Sequence, residues 1–428
     1  MASTQRPLAR SLLSRIFRRG LVGDALSLYA VQGLNYLLPL LVLPYVLRVL
    51  SPEGYGSVML AQSVMGYAII FTEFGFNLTA ARDISVARAD PAAVARVYWT
   101  TLAAKSLLLV ASALIVAVVV FATPEFRNQW PVFAASGLLV LGNVAFPQWY
   151  FQGTERLRDV ALAQAVAKCV VAAATLVLVR GPGDTWIAAA IMSSPQLAGA
   201  LSAIGLRKQI APTIFHRPSM AEILAALRRS SHMFGSIVST TLYLHTNTLF
   251  LGLMTGARDV ALYSLGTRLI AAMQSIASPV VQAVFPRASL LFAEQPEQAW
   301  ALLRRLAVIV LPAICAASLL LAVFAPLIVR IIGGPSYAAA VPVLRTMAAI
   351  PPLVALATGL SQVVMVNLGL TRALFRIYVM VGCLNLALLP ILIVRLAATG
   401  AAVALVVAET LGPVLMIAAL RRHRAATR

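Results

Sequence analysis

The 428-residue chain is 61% hydrophobic and 11% charged, with a formal net charge of +20. Soluble domains carry about 25% charged residues to face water, so this composition excludes a soluble globular fold. It also argues against a nucleic-acid binder, because the basic residues fall in short runs between apolar blocks and form no basic domain that could track a phosphate backbone.

A hydrocarbon core of about 30 Å takes about 20 apolar residues at 1.5 Å rise each, and the blocks meet that length. Strands would show dyad alternation, which is absent. In chain order the first six predicted helices are 25–48, 57–78, 99–122, 129–152, 159–180 and 185–206. The second six are 231–253, 260–286, 305–329, 340–366, 373–394 and 399–420. Residues 1–24 and 421–428 read as basic tails, and 207–230, with Pro212 and Pro218, as a loop between two six-helix halves, 25–206 and 231–420. No small-residue cleavage site follows the basic N-terminus, so the first block reads as a retained helix. Prolines inside spans (Pro39, Pro44, Pro147, Pro195, Pro279, Pro312, Pro351, Pro352) are tolerable where neighbouring helices or a hydrated cavity satisfy the freed carbonyls.

Loop charges test the count. Of 34 Lys and Arg, 24 lie in alternate segments on one side, six on the other (Arg48, Arg127, Arg180, Arg258, Arg330 and Arg395), and the rest within spans. The positive-inside rule then places both termini in the cytoplasm, and a miscounted helix would invert the bias downstream. Most of the +20 is thus an orientation signal facing anionic lipid. Cys169, Cys315 and Cys383 lie singly in apolar blocks, without metal or disulfide spacing. No cofactor motif, nucleotide loop or nucleophile motif is present.

The two halves echo faintly. SPEGYGSVMLAQS (51–63) and GARDVALYSLGTR (256–268) both place small and acidic residues before a Tyr-containing helix start. Each half opens with a helix carrying amides: Gln32 and Asn35 in the first, His245, Thr246 and Asn247 in the second. Transporters are often built from such repeats, with the site between them.

Residues 28–82 carry the most specific pattern: QGLNY, Pro39 with the Pro44–Tyr45 pair, a helix end at Arg48, then SPEGYG and GFNL. This stretch resembles the opening of the polysaccharide-export, O-antigen flippase-like family of the multidrug/oligosaccharidyl-lipid/polysaccharide exporter superfamily. PQWYFQGTER (147–156), the seventh and eighth helices and GGPSYAAAVPVLR (333–345) extend the likeness over essentially the whole chain. The resemblance implies an all-α integral membrane protein of two pseudo-symmetric six-helix bundles around a central cavity. That cavity would be lined chiefly by the first, second, seventh and eighth helices. It also implies a bacterial inner-membrane flippase that moves an undecaprenyl-pyrophosphate-linked oligosaccharide outward by alternating access.

Ionisable residues inside spans cost at least about 2.5–3.5 kcal/mol on insertion scales, so each asks for a reason. Arg268, about eight residues into the eighth helix, suits a pyrophosphate, because guanidinium binds phosphate oxygens in pairs; its plain alternative is a structural pair with a helix-end carbonyl or carboxylate. Lys168 is either a second substrate contact, a buried neutral amine or a partner for Glu409, and Arg345 either a contact or a snorkelling side chain. Lys105 is expected to snorkel. Glu73 either pairs with Arg82 or couples ion movement; Glu409 poses the same choice. His245 is a candidate proton relay or a hydrogen-bonded interior residue. Gln32, Asn35 and Asn247 are placed to bond sugar hydroxyls or to join helices, while Trp149, Tyr150 and Phe151 read as an interfacial aromatic belt. The expected partners are the lipid-linked oligosaccharide, membrane lipids, a coupling cation (proton or sodium) and a polysaccharide polymerase. The rival readings are a drug/cation antiporter, disfavoured by the excess of in-span cations over carboxylates, and a membrane glycan polymerase or ligase. The latter is disfavoured by short outer loops and only 14 scattered Asp and Glu.

Overall fold

The computed structural model describes residues 38–205 and 210–426, and all regular structure among them is helical. It fits twelve spans joined in places by short helices such as Pro124–Arg127 and Ala325–Ile332. Helix α1 is Leu38–Val49, the described end of the first span. Helix α2 runs Pro52–Glu73, turns through left-handed backbone at Phe74 and Gly75 (φ 46° and 82°), and continues as Phe76–Val86. Helices α3 (Pro91–Ala122), α4 (Trp130–Gly153), α5 (Leu157–Leu178) and α6 (Pro182–Met192 and Pro195–Gly205) complete the first half. The second half holds α7 (Met220–Thr255), α8 (Ala257–Glu294), α9 (Pro296–Val323), α10 (Ala340–Met365), α11 (371–396) and α12 (398–426).

The helix starts follow from local chemistry. Ser51 accepts the Gly54 N–H at 3.1 Å ahead of Pro52, and Asp90 accepts the Ala92 and Ala93 N–H groups ahead of Pro91. Both are N-caps before a proline at the first helical position, where no N–H is missed. Ser219 and Glu222 form a reciprocal capping box that starts α7. That box explains why α7 begins eleven residues before the apolar block expected at 231. Helices α7 and α8 have 36 and 38 residues. At 1.5 Å per residue they reach about 54 and 57 Å, so both project beyond the hydrocarbon layer.

Two expected helices are not straight. The sixth bends by 53° between Met192 and Pro195, where the proline has no N–H for the ladder. The tenth is segmented at Met347 and ends in a π-helical turn, Gly359–Met365. Conversely, the last two spans form one 56-residue helical run, Thr371–Ala426, broken only at Ala397 (φ 48°, ψ −128°).

Burial is inverted relative to a soluble protein. Helix α9 exposes Val308, Ile309, Leu319 and Leu320, and α3 exposes Val110, Leu114, Ile115 and Val118. Such faces belong against lipid chains. The main core instead runs across the two halves, joining Leu47, Tyr55 and Val58 of the first to Leu251, Leu265 and Leu344 of the second.

Candidate functional site

Helix α2 joins the halves, packing along both α7 and α8. The second half meets it at three levels, described from the end that carries the α1–α2 and α7–α8 turns (the outer end on the charge bias).

At the outer level the two echoing segments touch. A Cβ built on Gly56 would lie 1.7 Å from the Ala257 carbonyl oxygen, so no larger residue fits without parting the helices. Glu53 and Arg258 face each other at 3.9 Å on the surface. Arg48 donates to the Ile331 carbonyl, tying α1 to the chain beyond α9. Beneath these lie Tyr55 and Tyr337, both wholly buried. The Arg268 Nη2 approaches the Met59 Sδ at 3.4 Å, with the guanidinium beside the Tyr55 hydroxyl. Among the described residues no carboxylate lies within ion-pair distance of Arg268.

At mid-depth the His245 ring lies over Gly66, where a built Cβ would come within 2.4 Å of it. The ring meets Tyr67 edge-on at 5.8 Å, and the Tyr67 hydroxyl is 2.9 Å from the Thr246 Oγ1. Behind it sits an amide cluster. Asn247 donates to the Tyr263 hydroxyl at 3.1 Å, and Asn385 donates to the Asn247 Oδ1 at 2.8 Å. Glu409 is the charged neighbour of Tyr263. At the inner level Phe74 stacks on Phe234 at 4.3 Å, Thr79 bonds Ser230 at 2.8 Å and Arg229 pairs with Asp83 at 3.5 Å.

The candidates therefore separate. Arg268, His245 and Asn247 come together at the α2–α7–α8 seam, with Glu409 behind the amide cluster. Glu73 accepts a 2.6 Å bond from the Asn77 side chain; the Arg82 partner expected for it is replaced by this amide four residues on. Lys168 lies midway along α5, half-buried. Arg345 is exposed and reaches the Ala322 carbonyl near the end of α9 at 3.4 Å. Gln32 and Asn35 lie outside the described residues.

Two expectations are corrected. Lys105 does not snorkel; it is 1% exposed, inside the first half. Its ammonium donates to the Asn143 carbonyl and Oδ1 at 3.1 and 3.2 Å and lies 4.5 Å over the Trp149 ring. Pro147, four residues beyond Asn143, has no N–H to offer that carbonyl, and Lys105 takes its place. Nor do Trp149, Tyr150 and Phe151 form an interfacial belt. All three are buried, packed with Tyr98 and Phe146, because the proline break turns this segment inward.

Asn385, Tyr55 and Tyr337 escaped the sequence reading as site residues. Asn385 offered the same signal as Asn247, an amide inside an apolar block. The tyrosines sit in SPEGYG and GGPSY, the first noticed in an internal echo and in a resemblance, the second in the resemblance alone. A separate cavity of about 230 Å³ lies among α2, α3 and α4, lined by Met65, Leu109, Val116, Phe121, Phe133 and Val140 among others. The hydroxyl of Ser112 on its wall is spent on the Leu109 carbonyl. It is an apolar recess and holds none of the candidates.

Twelve helices, lipid-facing apolar surfaces and cations at a seam between two halves define a multi-pass membrane transporter. The chain belongs to the polysaccharide biosynthesis protein family, whose model matches residues 21–292. It is 28% identical over 408 residues to the "Putative O-antigen transporter" of Escherichia coli (strain K12), covering 94% of this chain and 97% of that one. Its fold is shared with solved membrane transporters. An inward-facing multidrug resistance transporter of the MATE family superposes with a TM-score of 0.72 at 15% identity, covering 92% of this chain and 95% of its own. The lipid II flippase MurJ in an inward closed conformation gives 0.72 at 12% identity, covering 92% and 87%.

Proposed function

We propose that this protein flips an undecaprenyl-pyrophosphate-linked oligosaccharide across the bacterial inner membrane for surface polysaccharide synthesis, by alternating access between the two halves. The observation that carries this reading is Arg268: a guanidinium at membrane depth, at the seam, whose polar neighbours among the described residues are a thioether and a tyrosine hydroxyl. Five donors in a planar fork match phosphate oxygens far better than they match sulfur. The near relative named an O-antigen transporter supports the same cargo class. The charge bias orients both termini to the cytoplasm, so the Arg268 end of the seam faces outward.

The amides of Asn247 and Asn385 bond one another, a helix-joining arrangement that leaves Asn247 a weaker sugar contact than Arg268 is a phosphate contact. Glu409 beside this cluster is the carboxylate we assign to a coupling cation, proton or sodium. Glu73 and His245 are the alternatives on α2 and α7. A polysaccharide polymerase would take the delivered unit at the outer face.

In cells, Arg268→Ala is expected to lower surface polysaccharide at least tenfold with normal membrane abundance, and Arg268→Lys to restore part of it. Full polysaccharide from the alanine variant would overturn the assignment.

A further inference from the structure

Among the described residues, two fully buried hydroxyls at the outer end of the seam make no well-formed hydrogen bond: those of Tyr55, which has the Arg268 guanidinium beside it, and Tyr337. They belong to opposite halves and meet there, Tyr337 having Tyr55 and Glu53 as its ionisable neighbours. Tyr55 is the fifth residue of SPEGYG at the start of α2, and Tyr337 ends GGPSY before α10. The guanidinium of Arg268, from α8, lies beside Tyr55 and reaches Met59 one turn further along α2. Three polar groups from three segments thus share one place, where the half-buried Arg268 guanidinium beside Tyr55 is the only polar company the two hydroxyls have among the described residues. A buried hydroxyl left unpaired is costly, and the cost grows in a low-dielectric interior.

The surroundings are well made by contrast. Gly56 admits the Ala257 carbonyl, Arg48 holds the Ile331 carbonyl, and Leu47, Val58, Val260, Ala261 and Leu344 close the seam around the tyrosines. The closed outer end is therefore tight in apolar packing and poor in polar bonding. Such a contact holds until a better partner for Arg268 arrives. A phosphate offers oxygens for two parallel bonds to the guanidinium, which neither the Met59 sulfur nor a tyrosine hydroxyl can match.

We propose that Tyr55, Tyr337 and Arg268 form a latch across the outer ends of the two halves, which the phosphate-bearing head of the cargo releases by drawing Arg268 away from Tyr55 and Met59. This rests on the anionic lipid-linked cargo proposed above. It adds that the cargo opens its own exit, and that Tyr55 and Tyr337 set the closed state without binding the sugar. On release the two hydroxyls reach water or the phosphate oxygens, so opening removes their penalty. A neutral lipid lacks the group that competes for Arg268 and leaves the latch shut.

The test uses the full-length protein in proteoliposomes, with Cys169, Cys315 and Cys383 replaced by serine and Ala261→Cys as a reporter buried under the latch. Labelling by a membrane-impermeant maleimide is followed with undecaprenyl pyrophosphate, with undecaprenol and with inorganic pyrophosphate, and lipid flipping is measured in parallel. Labelling should rise at least tenfold with undecaprenyl pyrophosphate and stay at the basal rate with undecaprenol. A response to inorganic pyrophosphate alone would show that the head suffices to release the latch. In Arg268→Met the rise should disappear, and in Arg268→Lys it should be reduced but present. Tyr337→Phe should leave the protein folded and change the basal labelling rate, while retaining the response to pyrophosphate lipid. If the parent protein flips pyrophosphate lipid while its labelling is indifferent to that lipid, the latch is wrong and the flippase reading stands. If it neither flips nor responds, both fall.

Discussion

Lys105 and Arg268 are both cations at membrane depth, in opposite circumstances. Lys105 is enclosed by acceptors: a carbonyl freed by Pro147, the amide oxygen of the same Asn143 and the face of Trp149. Its donors are spent, and it is 1% exposed. Arg268 has five donors and faces a sulfur and one hydroxyl. A buried charge whose partners are complete is a structural pin; one whose partners are poor is poised to exchange them. Charge inside a span is therefore an incomplete sign of function, and what the charge faces decides the matter.

Substitutions at the two sites should separate accordingly. The largest effect on transport is expected from Arg268→Ala, which should remove most flipping per molecule while scarcely moving the thermal unfolding midpoint of the purified protein. A fall in that midpoint comparable to the loss of flipping would erase the contrast. Lys105→Met should do the reverse. It leaves the Asn143 carbonyl unpaired beside a proline break, a cost of about 1–3 kcal/mol. The expected result is a lower unfolding midpoint with flipping per folded molecule nearly unchanged. Loss of flipping at full stability would move Lys105 into the functional machinery.

Gly66→Ala probes the seam itself. A methyl group within 2.4 Å of the His245 ring forces the ring out of its place or α7 away from α2. Overpacking of this kind costs about 1–3 kcal/mol. Flipping should fall severalfold, and a smaller side chain at His245 should recover it; failure of that rescue would mean the clash is relieved elsewhere.

The smallest effect concerns the start of α7, outside the hydrocarbon layer. The Ser219 backbone N–H, donating to the Glu222 carboxylate, is the main cause holding that carboxyl below its ordinary range, with His216 adding to it. A carboxyl depressed in the folded state stabilises above its unfolded pKa and loses that contribution as pH falls through the folded value. Hydrogen-exchange protection in the first turn of α7, taken relative to the intrinsic rate at each pH, should be constant near neutrality and fall only in acid. Glu222→Gln should abolish the acid dependence; an unchanged profile would refute the role of the capping box.

Much of the architecture was legible because lipid imposes it. Every span needs a run of apolar residues, and the loop charges recorded the alternation. The same logic missed the early start of α7, since Glu222, Arg228 and Arg229 interrupt the apolar residues of Met220–Ser230 and its helix start comes from a cap. It also missed the bend before Pro195, because hydropathy averages over a break. The site was less legible. Arg268 stood out as a charge in an apolar block, but Tyr55 and Tyr337 looked like ordinary helix-start aromatics. Nothing in a linear chain shows that two residues from opposite halves share one buried place with no bond between them. Lys105 was misjudged for a related reason: its partner carbonyl exists only because Pro147 frees it, and that requires knowing that α3 and α4 are neighbours.

The central claim is that Arg268 recognises an anionic, phosphate-bearing lipid head. The most direct measurement is flipping in proteoliposomes of two lipids with one undecaprenyl chain and one oligosaccharide, linked by pyrophosphate or by a neutral ether. Rapid flipping of the first, little of the second, and collapse of that preference in Arg268→Ala are the predicted result. Equal rates for both lipids, or an undiminished preference in the alanine variant, would contradict the account.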